Sequence, residues 1–115
     1  MASLHTYIFT ASDSDNVRLN MQDVLATLLT EICELGHMKI VERSFHAFEP
    51  SGFSACFILA ESHIAMHTWP EEASGYITLS TCKQPDADFV PNAIETIISH
   101  LSGTVTVKEV HNGTI

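Results

Sequence analysis

The sequence predicts a two-layer α+β sandwich, in which a mostly antiparallel sheet of about six strands carries two helices on one face. Short segments rich in β-branched and aromatic residues predict the strands. Two longer segments repeat apolar residues every three or four positions, which is the period of an amphipathic helix. Two helices are too few to cover both faces of such a sheet. One face is therefore expected to stay bare, and stacking a second copy of the chain is the economical way to cover it.

The first half of the chain predicts the order strand, helix, strand, strand. Residues 4–10 form a β-branched and aromatic run that ends at a turn-prone segment. A helix follows and ends at Gly36. Its apolar residues at helical spacing are Met21, Val24, Leu25, Leu28, Ile32 and Leu35. Residues 38–48 and 53–59 have strand character and are separated by a turn signal at 50–52, so they should pair as a hairpin.

The second half predicts the order strand, strand, helix, strand. Strands are expected over residues 64–68 and 76–82, with a turn at 71–75 between them. The last strand is expected over residues 104–110, and residues 111–115 are expected to form a loose tail.

The second helix has clear end signals. Asp86 or Asp88 is expected to cap it, with Pro91 in its first turn and Gly103 just past its end. Its buried side is expected to consist of Phe89, Ile94, Ile97, Ile98 and Leu101.

Length and composition limit the classes of protein that fit. At 115 residues and 12.7 kDa, the chain predicts a single domain over residues 1–115. Fourteen acidic residues against five basic ones give a net charge of −9, which disfavours nucleic acid and anionic membranes as partners and suits a small cationic substrate. The sequence shows no basic-then-apolar leader and no apolar run near the roughly 18 residues of a spanning helix. We therefore expect a cytoplasmic protein.

The three cysteines argue against a disulfide framework and a zinc site, because their number is odd and no two have CxxC spacing. Cys33 lies on the apolar side of the first helix and Cys56 lies within a predicted strand, so both are expected in the core. Cys82 follows Thr81 at a strand end and precedes polar residues. We expect it to be reachable by a substrate.

Residues 61–71 place a serine, two histidines and two glutamates in an otherwise strand-like segment. Ser62 follows Glu61, and His67 comes five residues later, within reach if the chain bends at Ser62. One chemistry open to this pair is acyl transfer to an external substrate. Another is attack by Ser62 on its own preceding peptide bond, giving an ester whose elimination splits the chain and leaves a pyruvoyl group. Such a ketone can form a Schiff base with a substrate amine and accept electrons. A polar strand end without any chemistry is the third interpretation.

The spacing of His63 and His67 also invites a metal site, since histidines four apart chelate from one helix face. The flanking residues favour a strand, however, and four residues of strand span about 13 Å, too far for one ion. We therefore expect no metal.

Three motifs carry a resemblance to a known family. They are Glu61-Ser62-His63 with His67-Thr68-Trp69-Pro70-Glu71, then Thr81-Cys82, and upstream Phe48-x-Pro50-x-Gly52-x-Ser54. In this order and spacing they resemble the short prokaryotic S-adenosylmethionine decarboxylases, which are pyruvoyl enzymes that cleave themselves at a Glu-Ser bond. The resemblance covers nearly the whole chain and favours self-processing over the other interpretations.

The resemblance implies how the cofactor is made. Ser62 would become the pyruvoyl group, and cleavage after Glu61 would leave chains of residues 1–61 and 62–115. His67 is implied as the processing histidine, which removes the proton α to the ester carbonyl.

Further roles follow from the resemblance at four positions. Ser54 is implied to assist processing by hydrogen bonding, and Cys82 to return a proton to the substrate carbanion. Phe48 is implied to stack on adenine and Glu71 to hold the ribose hydroxyls. Taken without the resemblance, these residues are equally an ordinary strand serine, a half-buried thiol, a core aromatic and a turn acid.

Substrate and assembly stay open at this point. The resemblance implies a homodimer whose active sites draw on both chains. Thr78 and Lys83 stand where the family commonly has Asp and Gly, and some relatives decarboxylate ornithine or arginine instead of S-adenosylmethionine. An unprocessed, noncatalytic homologue that binds a metabolite or a partner chain is the alternative from a different class.

Overall fold

The computed structural model describes residues 3–114, with side chains over residues 3–110. Its strands are β1 (Ser3–Ser12), β2 (Ile40–Ala47), β3 (Phe53–Leu59), β4 (Ser62–Trp69), β5 (Ser74–Thr81) and β6 (Thr104–Thr114). Its helices are α1 (Gln22–Leu35) and α2 (Phe89–Leu101), with short 3-10 turns at Arg18–Asn20 and Pro70–Glu72. Within these residues, no helix is long and apolar enough to cross a membrane.

The strands form one sheet in the order β2-β3-β4-β5-β1-β6. Every neighbouring pair is antiparallel, where the sequence predicted a mostly antiparallel sheet. The predicted hairpin of β2 and β3 is confirmed. In this order β1 lies between β5 and β6, so a strand from the start of the chain is enclosed by strands from its second half.

The hydrophobic core lies between the two helices and one face of the sheet. Successive strand residues point to opposite faces, and every second residue of β5 is accordingly buried. The largest fully buried side chains are Phe9, Phe57, Phe89, Leu19, Leu25, Leu28, Leu29, Ile32, Ile64, Met66, Ile77 and Leu79. Tyr7 of β1 meets Phe89 of α2 edge to face, with ring centroids 5.8 Å apart. The predicted two-layer α+β sandwich is confirmed.

The opposite face of the sheet is called the open face below, because no described element of this chain packs on it. Its central residues are Thr6, Ile8, Thr10, Ser54, Cys56, Ile58, His63, Ala65, His67, Trp69, Tyr76, Thr78 and Ser80. Ile58 is 50% exposed and Trp69 is 40% exposed. Large exposed apolar side chains on a sheet face are typical of a surface that another molecule covers.

Several element ends differ from the prediction. β4 begins at Ser62, two residues earlier than expected, because its pairing with β3 starts at the turn. β6 continues to Thr114, so the prediction of a loose tail is wrong for residues 111–114. Residue 115 lies outside the described residues. The extension occurs because β1 supplies pairing partners as far as Ser3. Asp88 occupies the N-cap position of α2, but its side chain makes no capping hydrogen bond.

One residue of α2 lies on a different side than expected. Ile98 was predicted to be buried, but it is 39% exposed. The buried positions follow steps of four residues, at Phe89, Ala93, Ile97 and Leu101. This spacing turns Ile98 toward the rim of the helix interface.

The cysteines divide between the two faces. Cys33 is buried as predicted, and burial raises the pKa of its thiol to about 11. The prediction that Cys56 lies in the core is wrong, since it alternates with the buried Ala55 and Phe57 and is therefore exposed on the open face. Cys82 is exposed just after β5.

We expect a water-soluble thiol reagent at pH 8 to label Cys82 of the folded protein and to leave Cys33 unlabelled. A thiol with a pKa of about 11 is ionised in roughly one molecule in a thousand at that pH, and the reagent also cannot reach it. Peptide mass mapping locates the label, and unfolding in denaturant should make Cys33 reactive. Labelling of Cys33 in the folded protein at the rate of Cys82 would contradict its buried position.

Candidate active site

The Glu61–Ser62 peptide bond lies where a tight turn enters β4. Leu59 ends β3 and pairs with Ser62, so only Ala60 and Glu61 connect the two strands. Ser62 has a φ of +152°, a value that residues other than glycine rarely adopt. Backbone held in a sparsely populated region costs about 1–3 kcal/mol. The Glu61–Ser62 bond, which the sequence predicts as the cleavage site, therefore adjoins a residue in a strained backbone conformation.

Hydrogen bonds hold Glu61 on both sides. Its carbonyl oxygen accepts the N–H of Cys82 at 3.1 Å, and its Oε1 accepts the N–H of Lys39 at 3.1 Å. Cys82 is brought here because Thr81, at the end of β5, pairs with Ser62. A backbone donor thus points at the oxygen that would gain negative charge if the Glu61 carbonyl were attacked.

The Ser62 hydroxyl oxygen lies 3.3 Å from Nδ1 of His63. Ser62 is half-buried and His63 is exposed. Glu61, Ser62, His63 and Cys82 therefore form one cluster, which is called the nucleophile end of β4 below.

His67 lies near the other end of β4, where it pairs with Ser54 of β3. The Ser54 hydroxyl oxygen is 2.6 Å from Nδ1 of His67. The ring centroids of Tyr76 and Trp69 lie 5.2 Å and 6.4 Å from that of His67, so the imidazole is held among aromatic neighbours. Ser54, His67, Trp69 and Tyr76, together with Phe48 described next, are called the histidine end.

Phe48 follows directly after β2 and lines a cavity of about 250 Å³ with Ser54, His67 and Trp69. Its ring meets His46 edge to face, with ring centroids 4.6 Å apart, and about half of the residue stays exposed to contact a flat ligand. The structure thus brings together three of the residues that the sequence selected from separate segments.

Glu71 lies beside this cavity and does not line it. It belongs to the 3-10 turn Pro70–Glu72 and borders a neighbouring depression. Its Oε2 accepts the hydroxyl of Ser51 at 3.1 Å, and Ser51 lines both depressions. The carboxylate is therefore one side chain away from the Phe48 cavity.

The loop that carries Phe48 is fixed by neighbouring elements. The N–H of Gly52 donates to Oδ1 of Asn20 at 2.9 Å, and the N–H of Phe53 donates to Oγ1 of Thr68 at 3.0 Å. The N–H of Phe48 itself donates to the Gly52 carbonyl at 2.9 Å. Gly52 has a φ of +105°, which favours glycine at this position. The aromatic ring therefore stands on a preformed loop.

The two ends of β4 cannot contact each other within one chain. Pairing with β3 runs from Ser54 opposite His67 to Leu59 opposite Ser62 without a shift, and β5 pairs along the other side. Five residues of extended strand span about 16 Å. The expectation that a bend at Ser62 brings His67 within reach is wrong for a single chain, because the turn precedes Ser62 and the strand after it is straight.

Sequence reasoning gave no role to Tyr76, Asn20 or Ser51. Each reaches the site from a different element, and only the cross-strand register and loop packing reveal the contact. Among the described residues, no three His, Cys, Asp or Glu side chains come together in a way that could hold a metal ion.

Comparisons with known proteins place these features in a family. The family model described as S-adenosylmethionine decarboxylase matches residues 5–113. An S-adenosylmethionine decarboxylase proenzyme of Clostridium botulinum is 34% identical over 100 residues, covering 85% of this chain and 84% of that protein. A proenzyme of the same name from Thermococcus onnurineus is 30% identical over 101 residues, covering 84% of this chain and 72% of that protein.

The fold agrees with a solved structure. The crystal structure of the adenosylmethionine decarboxylase from Aquifex aeolicus matches with a TM-score of 0.82, covering 99% of this chain and 93% of that one. At 21% sequence identity, this likeness supports the fold alone. The resemblance first seen in the three motifs is confirmed by the family match over residues 5–113. This chain belongs to the S-adenosylmethionine decarboxylase family.

Proposed function

We propose that the chain cleaves itself between Glu61 and Ser62, converts Ser62 into a pyruvoyl group and decarboxylates S-adenosylmethionine, which supplies the aminopropyl donor for polyamine synthesis such as that of spermidine. The observation that carries the proposal is the Glu61–Ser62 junction, where a strained serine and a donor to the adjoining carbonyl lie together. Family membership favours S-adenosylmethionine over ornithine and arginine. A cytoplasmic location stays a prediction from the sequence.

The first step is attack of Ser62 Oγ on the carbonyl carbon of Glu61. The N–H of Cys82, 3.1 Å from the carbonyl oxygen, stabilises the negative charge that develops there. Breaking the C–N bond then yields an ester between Glu61 and Ser62 Oγ, with a free amine on Ser62. The unusual φ of Ser62 is part of the ground state from which this step begins, so its conformational cost is already present before the bond breaks.

The second step splits the ester. A base removes the proton on Cα of Ser62, and the Glu61 carboxylate leaves from Cβ, so residue 62 becomes dehydroalanine. Water then replaces its nitrogen, ammonia leaves, and a pyruvoyl group remains. His67 suits the role of base in the tautomer whose Nδ1–H donates to Ser54 Oγ, because Nε2 is then free to take the proton. Once formed, the pyruvoyl carbonyl supplies an electrophile for the substrate amine and an acceptor for the electrons released on decarboxylation.

We propose that each complete site joins the nucleophile end of one chain to the histidine end of a second copy. This follows because the two ends of one β4 are about 16 Å apart. The open face offers the surface for such a contact. It exposes Ile58 and Trp69, and it carries a largely apolar depression of about 360 Å³ bordered by Ile8, Tyr76 and Thr78.

A two-fold axis between stacked sheets provides the required geometry. If the axis lies perpendicular to β4, the second copy runs in the opposite direction over the first. The nucleophile end of each β4 then faces the histidine end of the other, across the roughly 10 Å that separates stacked sheets. Two equivalent sites form in one homodimer.

The substrate contacts follow from the histidine end. The exposed face of Phe48 suits stacking on a purine, and Glu71 suits a pair of ribose hydroxyls. The Cys82 thiol is exposed beside Ser62 and suits return of a proton to the carbon that has lost carbon dioxide. Lys83, a departure from the family pattern, donates from Nζ to the His37 carbonyl at 2.8 Å and therefore fixes a loop.

We expect the purified protein to consist of residues 1–61 and 62–115, the second fragment carrying a ketone instead of an N-terminal amine. Ser62→Ala should stay whole, because alanine has no hydroxyl to attack Glu61. Intact-mass spectrometry measures both. Ser99→Ala removes an exposed hydroxyl from α2 and should be cut like the parent. A parent protein that stays at 115 residues would instead support the noncatalytic alternative.

The shared site predicts complementation between two inactive chains. His67→Ala should stay uncut when expressed alone, yet be cut when co-expressed with Ser62→Ala, because one mixed site then holds an intact Ser62 and an intact His67. Mass spectrometry of differently tagged chains identifies which one is cut. Efficient cutting of His67→Ala alone, or no cutting of the mixture, would contradict a site built from two copies.

Carbon dioxide release, assayed separately with S-adenosylmethionine, ornithine and arginine, should occur with S-adenosylmethionine. Phe48→Ala should weaken binding of that substrate by about 1–3 kcal/mol, the scale of one lost base–aromatic stack. Val41→Ala, which removes an exposed apolar side chain from β2, is the control and should bind like the parent. Release from ornithine or arginine alone would overturn the substrate assignment and leave the self-cleavage intact.

A further inference from the structure

We infer that His63 is the base that takes the proton from Ser62 Oγ in the first step of self-cleavage, whereas His67 serves the second step. This inference rests on the proposed self-cleavage. Its basis is the contact between Ser62 Oγ and His63 Nδ1, at 3.3 Å within the same chain. A catalytic base must lie within or just beyond hydrogen-bonding reach of the proton that it removes, and such contacts are often loose before the reaction begins.

His67 is poorly placed for the same proton. It lies about 16 Å along β4 from Ser62 of its own chain, and its Nδ1 is already engaged by Ser54 at 2.6 Å. A second copy could bring its own His67 near, but His63 needs no second copy. The first step therefore proceeds in one chain, and the second copy becomes necessary only for elimination.

The position of His63 is fixed by the sheet. Its backbone pairs with Ile58 of β3 and with Ser80 of β5, so the imidazole stands on a strand that is held from both sides. The side chain itself is exposed on the open face. The backbone of His63 is therefore fixed next to Ser62, and its exposed imidazole can rotate toward either the Ser62 hydroxyl or the Ser62 nitrogen.

The proton balance of the step is complete. The step uses the His63 tautomer that carries its own proton on Nε2, and its Nδ1 accepts the Ser62 Oγ proton as the oxygen bonds to the Glu61 carbonyl carbon. The carbonyl π electrons move to the oxygen that accepts the Cys82 N–H. When the carbonyl re-forms, the C–N bond breaks, and the leaving nitrogen takes the proton from His63 Nδ1. The products are an ester, a free amine and neutral His63, with no external reactant.

The experiment separates the two steps by trapping the ester. Neutral hydroxylamine cleaves an ester at Glu61 and leaves a hydroxamate on that residue, whereas it spares the original peptide bond. We expect His67→Ala to be a whole chain that hydroxylamine splits after residue 61, because its ester forms but cannot eliminate. His63→Asn should be a whole chain that hydroxylamine does not split there, with self-cleavage slowed by about a hundredfold or more.

Asparagine at position 63 removes proton transfer but keeps a hydrogen-bond acceptor that can position the Ser62 hydroxyl. Its side-chain oxygen stands close to where Nδ1 stood and can still accept the Ser62 hydroxyl, but it cannot hold the proton. His37→Asn is the matched control, since it removes an exposed histidine at a φ of +55°, which asparagine tolerates. Thermal unfolding of all variants reports their folding. In His63→Ala, added imidazole should restore cleavage by replacing the missing base.

Cleavage of His63→Asn within about twofold of the parent rate would overturn the assignment, as would accumulation of a hydroxylamine-sensitive ester in that variant. Failure of imidazole to speed cleavage of a folded His63→Ala would also count against it. A parent chain that is never cut, or that releases no carbon dioxide, would instead refute the proposed function. This outcome is measured on the parent protein alone, so it is distinguishable from a failure of the His63 assignment.

Discussion

The unbroken pairing of β3 with β4 determines where chemistry can occur in this protein. It holds Ser62 and His67 at opposite ends of a straight strand, with β5 bound along the other side. One strand thus carries the groups for both steps of the proposed self-cleavage and keeps them from meeting. Under the proposed mechanism, a second copy would be a chemical requirement of the site as well as a cover for the apolar open face.

The fold class and the choice of candidate site residues were predictable from the sequence, because both depend on local patterns. The strand-like and helix-like patterns of apolar residues, together with the turn residues, predicted the order of elements. The motifs around Ser62 and their spacing indicated the family. Cross-strand relations left no such signal. Cys56 was assigned to the core because its neighbours are apolar, and only the register of β3 shows that it points to the open face. The separation of Ser62 from His67 was missed for the same reason, since spacing does not say whether a chain bends.

Cys82 illustrates how the backbone and side chain of one residue can serve different steps. Its N–H is committed to the Glu61 carbonyl, while its thiol stays exposed. In the proposed mechanism, self-cleavage would draw on the first group and substrate turnover on the second. The register that places Thr81 opposite Ser62 therefore positions both groups of Cys82 at once, at the point where the end of β5 meets the turn before β4.

A cut after Glu61 would divide the sheet without separating its pieces. Strands β1, β2 and β3 would belong to one fragment and β4, β5 and β6 to the other, yet β1 lies between β5 and β6, and β3 lies against β4. The fragments are interleaved, so neither can leave without breaking three complete strand pairings. Within each protomer, loss of one peptide bond would therefore change the molecularity of unfolding, from one chain to two, while leaving the folded architecture as it was.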